Sequence, residues 1–364
     1  MSVDTRGRTY AMDLGDPGFA APPAALAAAR AALAEAPPVF PYGERGGLPA
    51  LREAIARHRT ERGDPTSPDA VTVTTGASGG LAATILATTA PGDDVLCPDP
   101  GYPLFAQLVL SMGRGLVRYP ALDAAGRPDA GLVADRLTPS TRLVIWNQPS
   151  NPLGTVADAG ANRALAALAA ERGLAVLSDE AYEDLVLDGP ALAPPRGPGV
   201  FSVHSFSKSF GLAGWRVGYV VAPEGDAAAV ARSHWFVAMT VSWIGQRAAL
   251  GALEAPRGYH DQVRAELRQG RDRALAALSR VGVPHAVPAA GMFAWLDVTP
   301  TGRDGDAFVR ACARSVGVLL APGAPFGPAG EGRVRLNFSG PAHDVEMGAG
   351  RVALCYAALR EARR

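Results

Sequence analysis

Short runs of apolar and β-branched residues alternate with longer amphipathic stretches through the middle of the chain. From residue 70 onward this pattern predicts strands at 71–74, 94–97, 115–119, 142–146, 174–178, 200–204 and 217–222. Between them it predicts helices near 79–89, 103–112, 129–136 and 158–172. Strands that alternate with crossover helices make a mainly parallel sheet covered on both faces. Ligands of such sheets sit at the carboxyl ends of the strands.

The flanks read differently. Residues 12–20 form a Gly/Pro turn stretch, and an Ala-rich helix follows at about 23–35, broken by Pro37, Pro38 and Pro41. A second helix runs to about Arg62, with Leu48, Leu51 and Ile55 on one face. After residue 224 the pattern turns helical, with one long segment at 243–281. The end is α+β: strands near 283–287, 292–298 and 333–338, and helices near 304–315 and 342–362. No internal repeat is evident.

Composition narrows the function classes. The 364 residues suit about two domains. Acidic and basic residues balance at 35 each, with no basic stripe for nucleic acid or an anionic membrane. Cys97, Cys312 and Cys355 are too scattered for a disulfide framework or a zinc site, which suits a reducing cytoplasm. Residues 1–10 are polar and carry three charges, so no signal peptide is expected. No apolar run reaches the roughly 20 residues of a membrane span.

Candidate chemistry centres on Ser205-Phe-Ser-Lys-Ser-Phe-Gly-Leu-Ala-Gly-Trp-Arg-Val-Gly-Tyr219, because Lys208 is the chain's only lysine. Arg keeps its proton at any accessible pH, whereas a Lys amine can lose it and condense with a carbonyl. The other candidates follow predicted strands, and each has a plainer reading. Thr74-Thr-Gly-Ala-Ser-Gly-Gly-Leu81 is a phosphate seat at a helix amino end or a closely packed cap. Tyr102 can lie on a planar ligand or simply pack in its Pro-rich turn. Asn151, ahead of a proline, can aim its amide into a site or serve the turn. Asp179 ends a buried strand and needs a partner, such as a cationic ring nitrogen, unless it caps the next helix. Tyr182, three residues on, can reach the same ligand. Arg216, folded back by Gly211 and Gly214, offers a second anchor for phosphate. In 333–338, Arg333, Arg335 and Asn337 share one strand face, where an Arg can grip a carboxylate or face water.

Together these segments resemble the class I/II aminotransferases, which are fold-type I pyridoxal-phosphate enzymes. The likeness runs in order from Leu14-Gly-Asp-Pro-Gly-Phe19 to the last helix. It rests on the lysine segment, Asn151-Pro-x-Gly154, Asp179-x-x-Tyr182 and Arg335-Leu-Asn-Phe338. Leu153 and Gly18 depart from the usual family residues.

The resemblance implies a large seven-stranded, mainly parallel α/β domain at 36–262. A smaller α+β domain takes in 1–35 and 263–364. It implies that Lys208 holds pyridoxal 5'-phosphate as a Schiff base and that Asp179 pairs with the pyridine nitrogen. Asn151 and Tyr182 bond its phenolic oxygen, and Tyr102 stacks on the ring. Ala77, Ser78, Ser205 and Arg216 seat the phosphate. Arg335, with Asn151 and the backbone near Gly15, takes the substrate α-carboxylate. Tyr42 reaches the phosphate of a neighbouring subunit, hence a homodimer with shared sites. The implied reaction transfers an amino group between an L-amino acid and a 2-oxo acid. A lyase, cyclase or β/γ-replacement enzyme of the same fold is the alternative. A transcription regulator is not expected, since only a dozen residues precede the likeness.

Overall fold

The structure, a computed structural model, describes residues 9–35, 41–256 and 258–363. Residues 1–8, Pro37 and Pro38, on which the signal-peptide and helix-break expectations bear, lie outside them.

The chain opens with β1 (Tyr10–Ala11), α1 (Pro23–Ala34) and α2 (Pro49–Glu61). The alternating section runs β2 (Val71–Thr74), α3 (Gly76–Thr88), β3 (Asp94–Asp99), α4 (Pro103–Ser111), β4 (Gly115–Pro120), α5 (Ala130–Ala134), β5 (Thr141–Asn147), α6 (Ala159–Arg172), β6 (Ala175–Asp179), β7 (Val200–Ser205), α7 (Phe206–Ser209) and β8 (Gly218–Val221). Helices α8 (Ala227–Ala238), α9 (Trp243–Ala252) and α10 (Tyr259–Ser279) lead to the last section. That section holds β9 (Phe293–Asp297), α11 (Gly305–Val316), β10 (Val318–Leu319), β11 (Ala321–Pro322), β12 (Arg333–Asn337) and α12 (Ala342–Glu361).

Seven strands form the large sheet in the order β2-β8-β7-β6-β5-β3-β4. All its pairings are parallel except those of β8, which runs antiparallel to β2 and β7. Side chains alternate across the sheet because successive Cβ atoms leave opposite faces. Val95, Cys97, Leu143 and Ile145 pack with Leu81 and Ile85 of α3 and Phe105 of α4. Leu96, Val144 and Trp146 pack on the other face with Val133 of α5 and Leu165 of α6. The Trp146 indole N–H donates to Asn162 Oδ1 at 2.8 Å, which ties α6 to its strand.

A three-stranded antiparallel sheet, β11-β12-β9, forms with α10, α11 and α12 a separate core around Phe308, Val334, Leu336 and Tyr356. Tyr10 and Met12 belong to that core, and β1 pairs with β10. Helix α1 instead buries Ala25 against Leu51 and Ile55 of α2 and Ala249 and Ala252 of α9. Gly251 permits this approach: a Cβ there would lie 2.5 Å from the Ala24 carbonyl oxygen and 2.6 Å from Ala28 Cβ.

Two sequence expectations need correction. The long helix at 243–281 is two helices, α9 ending at Ala252 and α10 starting at Tyr259. Pro256 lies in the gap, and proline lacks the N–H that continues a helix. The strand at 283–287 reduces to one bridge, His285 to Leu296.

Candidate active site

The carboxyl ends of the large sheet's strands open on a cavity of about 350 Å³. Gly15, Ala77, Ser78, Tyr102, Asn151, Asp179, Tyr182, Ser205, Lys208, Arg216 and Arg335 all line it. Tyr42 does not: it is 73 % exposed, in a surface groove with Thr240 and Trp243.

Lys208 rides on the single-turn helix α7, whose start is capped by Ser205 Oγ accepting from the Ser207 N–H at 3.2 Å. Its Nζ donates to the Gly15 carbonyl. Burial disfavours the ammonium and lowers the amine to about 8; the Arg335 and Arg216 charges add to this, and Asp16 opposes it. A usable fraction of the amine is therefore neutral near neutrality.

Asp179 is the last residue of β6 and is buried. Its Oδ1 accepts from the Ala181 N–H at 3.1 Å, but a turn and not a helix follows, so it caps no helix. Among the described residues no cation pairs with it. Burial raises its carboxyl to about 7; the Ala181 bond opposes this and the Glu180 charge adds to it. A buried acid without a counterion is an acceptor for a cation that the chain does not itself supply.

Arg335 is the converse case. Its Nη1 donates to Asn151 Oδ1 at 2.9 Å and its Nη2 to the Asp13 carbonyl at 2.8 Å. The guanidinium stands 4.0 Å over the Phe293 ring and 5.1 Å from that of Phe326. Its Nε is buried without a partner, and burial lowers its pKa. Among the described residues no carboxylate neutralises it, so the site suits an incoming anion. Arg333, on the same strand, pairs with Asp297 at 2.9 Å instead. Asn337 donates to the Leu14 and Asp16 carbonyls at 2.8 and 3.0 Å, which fixes the loop that carries Gly15.

Opposite lies an anion seat. Ala77 and Ser78 occupy the first turn of α3, a helix with no side-chain cap. Its free amides and dipole favour negative charge there. Arg216 reaches the same end from a left-handed backbone, φ 56°, uncommon for a residue with a Cβ. Tyr102 meets Phe105 edge-on at 5.6 Å, and Tyr182 meets Phe293 at 5.9 Å. Burial raises both hydroxyls, so they are donors at neutral pH.

The lining also includes Leu14, Asp16, Leu81, Asn147, Ala181, Ser207 and Phe293, which the sequence did not single out. Asn147 had a signal, since it lies four residues before Asn151, and its Oδ1 accepts from the Asn151 N–H at 2.8 Å. Phe293 had none. It is an ordinary apolar strand residue until the fold sets it under Arg335.

An amine, an unpaired acid, a flanking tyrosine and an anion seat in one cavity fit pyridoxal phosphate, and Arg335 leaves room for a carboxylate beside it. The family model for class I and II aminotransferases matches residues 11–352. The chain is 33 % identical over 355 residues to the arginine–pyruvate transaminase of Pseudomonas aeruginosa, covering 96 % of this chain and 90 % of that one. It is 32 % identical over 338 residues to the aspartate/prephenate aminotransferase of Thermus thermophilus, covering 90 % and 86 %. The solved N-succinyldiaminopimelate aminotransferase of Mycobacterium tuberculosis superimposes with a TM-score of 0.89 at 29 % identity, over 95 % of this chain and 93 % of that one. The chain belongs to the class I and II aminotransferases, pyridoxal-phosphate enzymes of fold type I that move an amino group between an amino acid and a 2-oxo acid.

Proposed function

We propose that the cavity residues divide this transamination as follows. Lys208 Nζ would hold the cofactor and, as a free amine, would carry the proton that leaves the substrate α-carbon. Its lowered pKa supports this, since only the neutral amine accepts a proton. Bound pyridoxal phosphate supplies the electron-withdrawing ring that spreads the charge left on that carbon. Asp179 holds the ring nitrogen's positive charge. Asn151 and Tyr182 hydrogen-bond the ring oxygen, and Tyr102 covers a ring face. Ala77, Ser78, Ser205 and Arg216 seat the phosphate. Arg335 takes the substrate α-carboxylate, with Asn151 and the Gly15 backbone beside it.

The observation that carries this reading is the convergence of the only lysine, an acid without a counterion and a guanidinium without an acid on one cavity. The test is Lys208→Ala. Borohydride should no longer fix the cofactor to the chain, and turnover should fall by roughly 10²–10⁴-fold. A variant that keeps most of its activity, or still links the cofactor, overturns the assignment.

The working unit in this reading is a homodimer with shared sites. Leu33 and Tyr42, which line one surface groove, and Phe236, Val237 and Met239 at the end of α8 are exposed apolar or aromatic side chains, which supports a partner subunit. Tyr42, outside its own chain's cavity, is then free to serve the neighbour's. The division into 36–262 and 1–35 with 263–364 belongs to the same reading. The packing of α1 on α2 and α9 supports moving its first boundary ahead of residue 23. Three unbridged cysteines support a cytoplasmic setting, and among the described residues no helix is long and apolar enough to cross a membrane.

A further inference from the structure

Asp179 is followed by a second acid that never reaches the cavity. Glu180 is fully buried and does not line the pocket. Its Oε1 accepts from Ser178 Oγ at 2.7 Å and from Arg196 Nη1 at 2.6 Å, and its Oε2 accepts from Arg196 Nη2 at 2.8 Å. Arg196 also holds Asp64, with Nη2 3.0 Å from Oδ2, and Arg59 binds the same carboxylate. Arg59 lies 3.5 Å from Glu183 and 3.2 Å from His204 Nδ1. His204 bridges Glu183 at 2.7 Å and Ser202 at 2.8 Å. This block of charge stands behind the strand ends that carry Asp179 and Ser205, and none of it lines the cavity.

Its contact with the site is local. Both chain neighbours of Asp179 are tied down, Ser178 to Glu180 and Glu180 to Arg196, and the Glu180 N–H donates to the Val203 carbonyl at 2.9 Å. The Glu180 charge also bears on the Asp179 carboxyl and favours its protonated form. A bidentate guanidinium offsets that charge at short range.

We propose that Arg196 is a positioning residue for Asp179, acting through its paired bonds to Glu180, which fix the Asp179 carboxylate at the cavity wall and offset the negative charge next to it. This rests on the reading of Asp179 as the partner of the ring nitrogen. The pair does two things: it sets where the carboxylate stands, and it sets how readily that carboxylate stays ionised.

The test follows pyridoxal phosphate affinity across neutral pH in Arg196→Gln, Glu180→Gln, the double variant and the parent. Asp16, Tyr102, Tyr182, Lys208, Arg216 and Arg335 line the cavity with Asp179, and Glu183 and His204 lie outside it. Lys208 titrates nearby, at about 8, but is common to every variant and cancels in the comparison. Losing Arg196 strips Glu180 of its paired bonds and leaves Arg59, 3.9 Å away, as the cation beside it, so the pH midpoint of affinity should rise and affinity near neutrality should fall about tenfold, the equivalent of one pH unit. Losing the Glu180 charge should lower the midpoint. The double variant should return close to the parent. A merely structural pair would move both single variants the same way, and that result, or no shift, overturns the proposal. If Arg196→Gln does not fold by circular dichroism, the downward shift of Glu180→Gln decides alone. Asp179→Asn is run in parallel: loss of its pH dependence keeps the Asp179 reading, and an unchanged dependence sinks that reading itself.

Discussion

Lys208 and Asp179 show the same physics with opposite sign. Burial pushes the amine down to about 8 and the acid up to about 7, so each is drawn toward its neutral form. The amine is the chain's only lysine, so an amine-reactive probe read by mass spectrometry on its peptide should label it with a midpoint near pH 8 in the cofactor-free protein. Labelling that begins only near the ordinary lysine value would contradict its burial. Asp179 has a stability consequence. Between its ordinary 3.8 and about 7, the folded chain keeps a proton that the unfolded chain has lost. Stability therefore falls as pH rises through that window, and the full cost, about 4 kcal/mol at most, stands above pH 7. Cofactor-free Asp179→Asn should then melt higher than the parent at pH 8 and no higher at pH 4. The cofactor should reverse the order at pH 8, because only the parent can hold its cation. At this scale the sequence was legible where a residue type is chemically special: a solitary Lys, an Asp ending an apolar strand. It was illegible at Phe293, whose part depends on which guanidinium the fold lays over it.

At the scale of elements, the strand ends carry the site, as the alternation of strands and helices led one to expect. The hydrophobic pattern does not encode strand direction, so the antiparallel run of β8 was not legible. That reversal matters, because it brings Gly218 against the start of α3. A Cβ at Gly218 would lie 2.6 Å from the Ala77 nitrogen and 2.7 Å from the His204 carbonyl oxygen. Gly218→Ala should therefore push the anion seat out of shape. Stability should drop by about 1–3 kcal/mol in chemical denaturation, and cofactor affinity should fall with it. A variant of parental stability and affinity would mean the backbone yields there at no cost. The break between α9 and α10 was missed for a simpler reason: apolar periodicity runs through both helices, and one proline outweighs it.

For the whole molecule, the hydrophobic pattern does not assign residues to particular packed clusters. The amino-terminal segment divides, Tyr10 and Met12 joining the carboxyl-terminal core while Ala25 joins the helices beneath the large sheet. Which residues the proposed homodimer would cover is also invisible in one chain's hydrophobic pattern; apart from the family resemblance, Tyr42 looks like any surface tyrosine. The exposed side chain of Phe236, 80 % accessible, is the sharpest probe of that face. Phe236→Asp should shift sedimentation from dimer to monomer and weaken cofactor binding by about tenfold, 1.4 kcal/mol, or more. If the variant stays dimeric with full affinity, the contact surface lies elsewhere.

The loop just after β1 holds the centre from outside. Carbonyls of Asp13 and Gly15 receive Arg335 and Lys208, while those of Leu14 and Asp16 receive Asn337. In the proposed division of roles, substrate binding at Arg335 and proton transfer at Lys208 would thus lean on one strap of peptide groups, which side-chain substitutions reach only through its partners, as at Asn337.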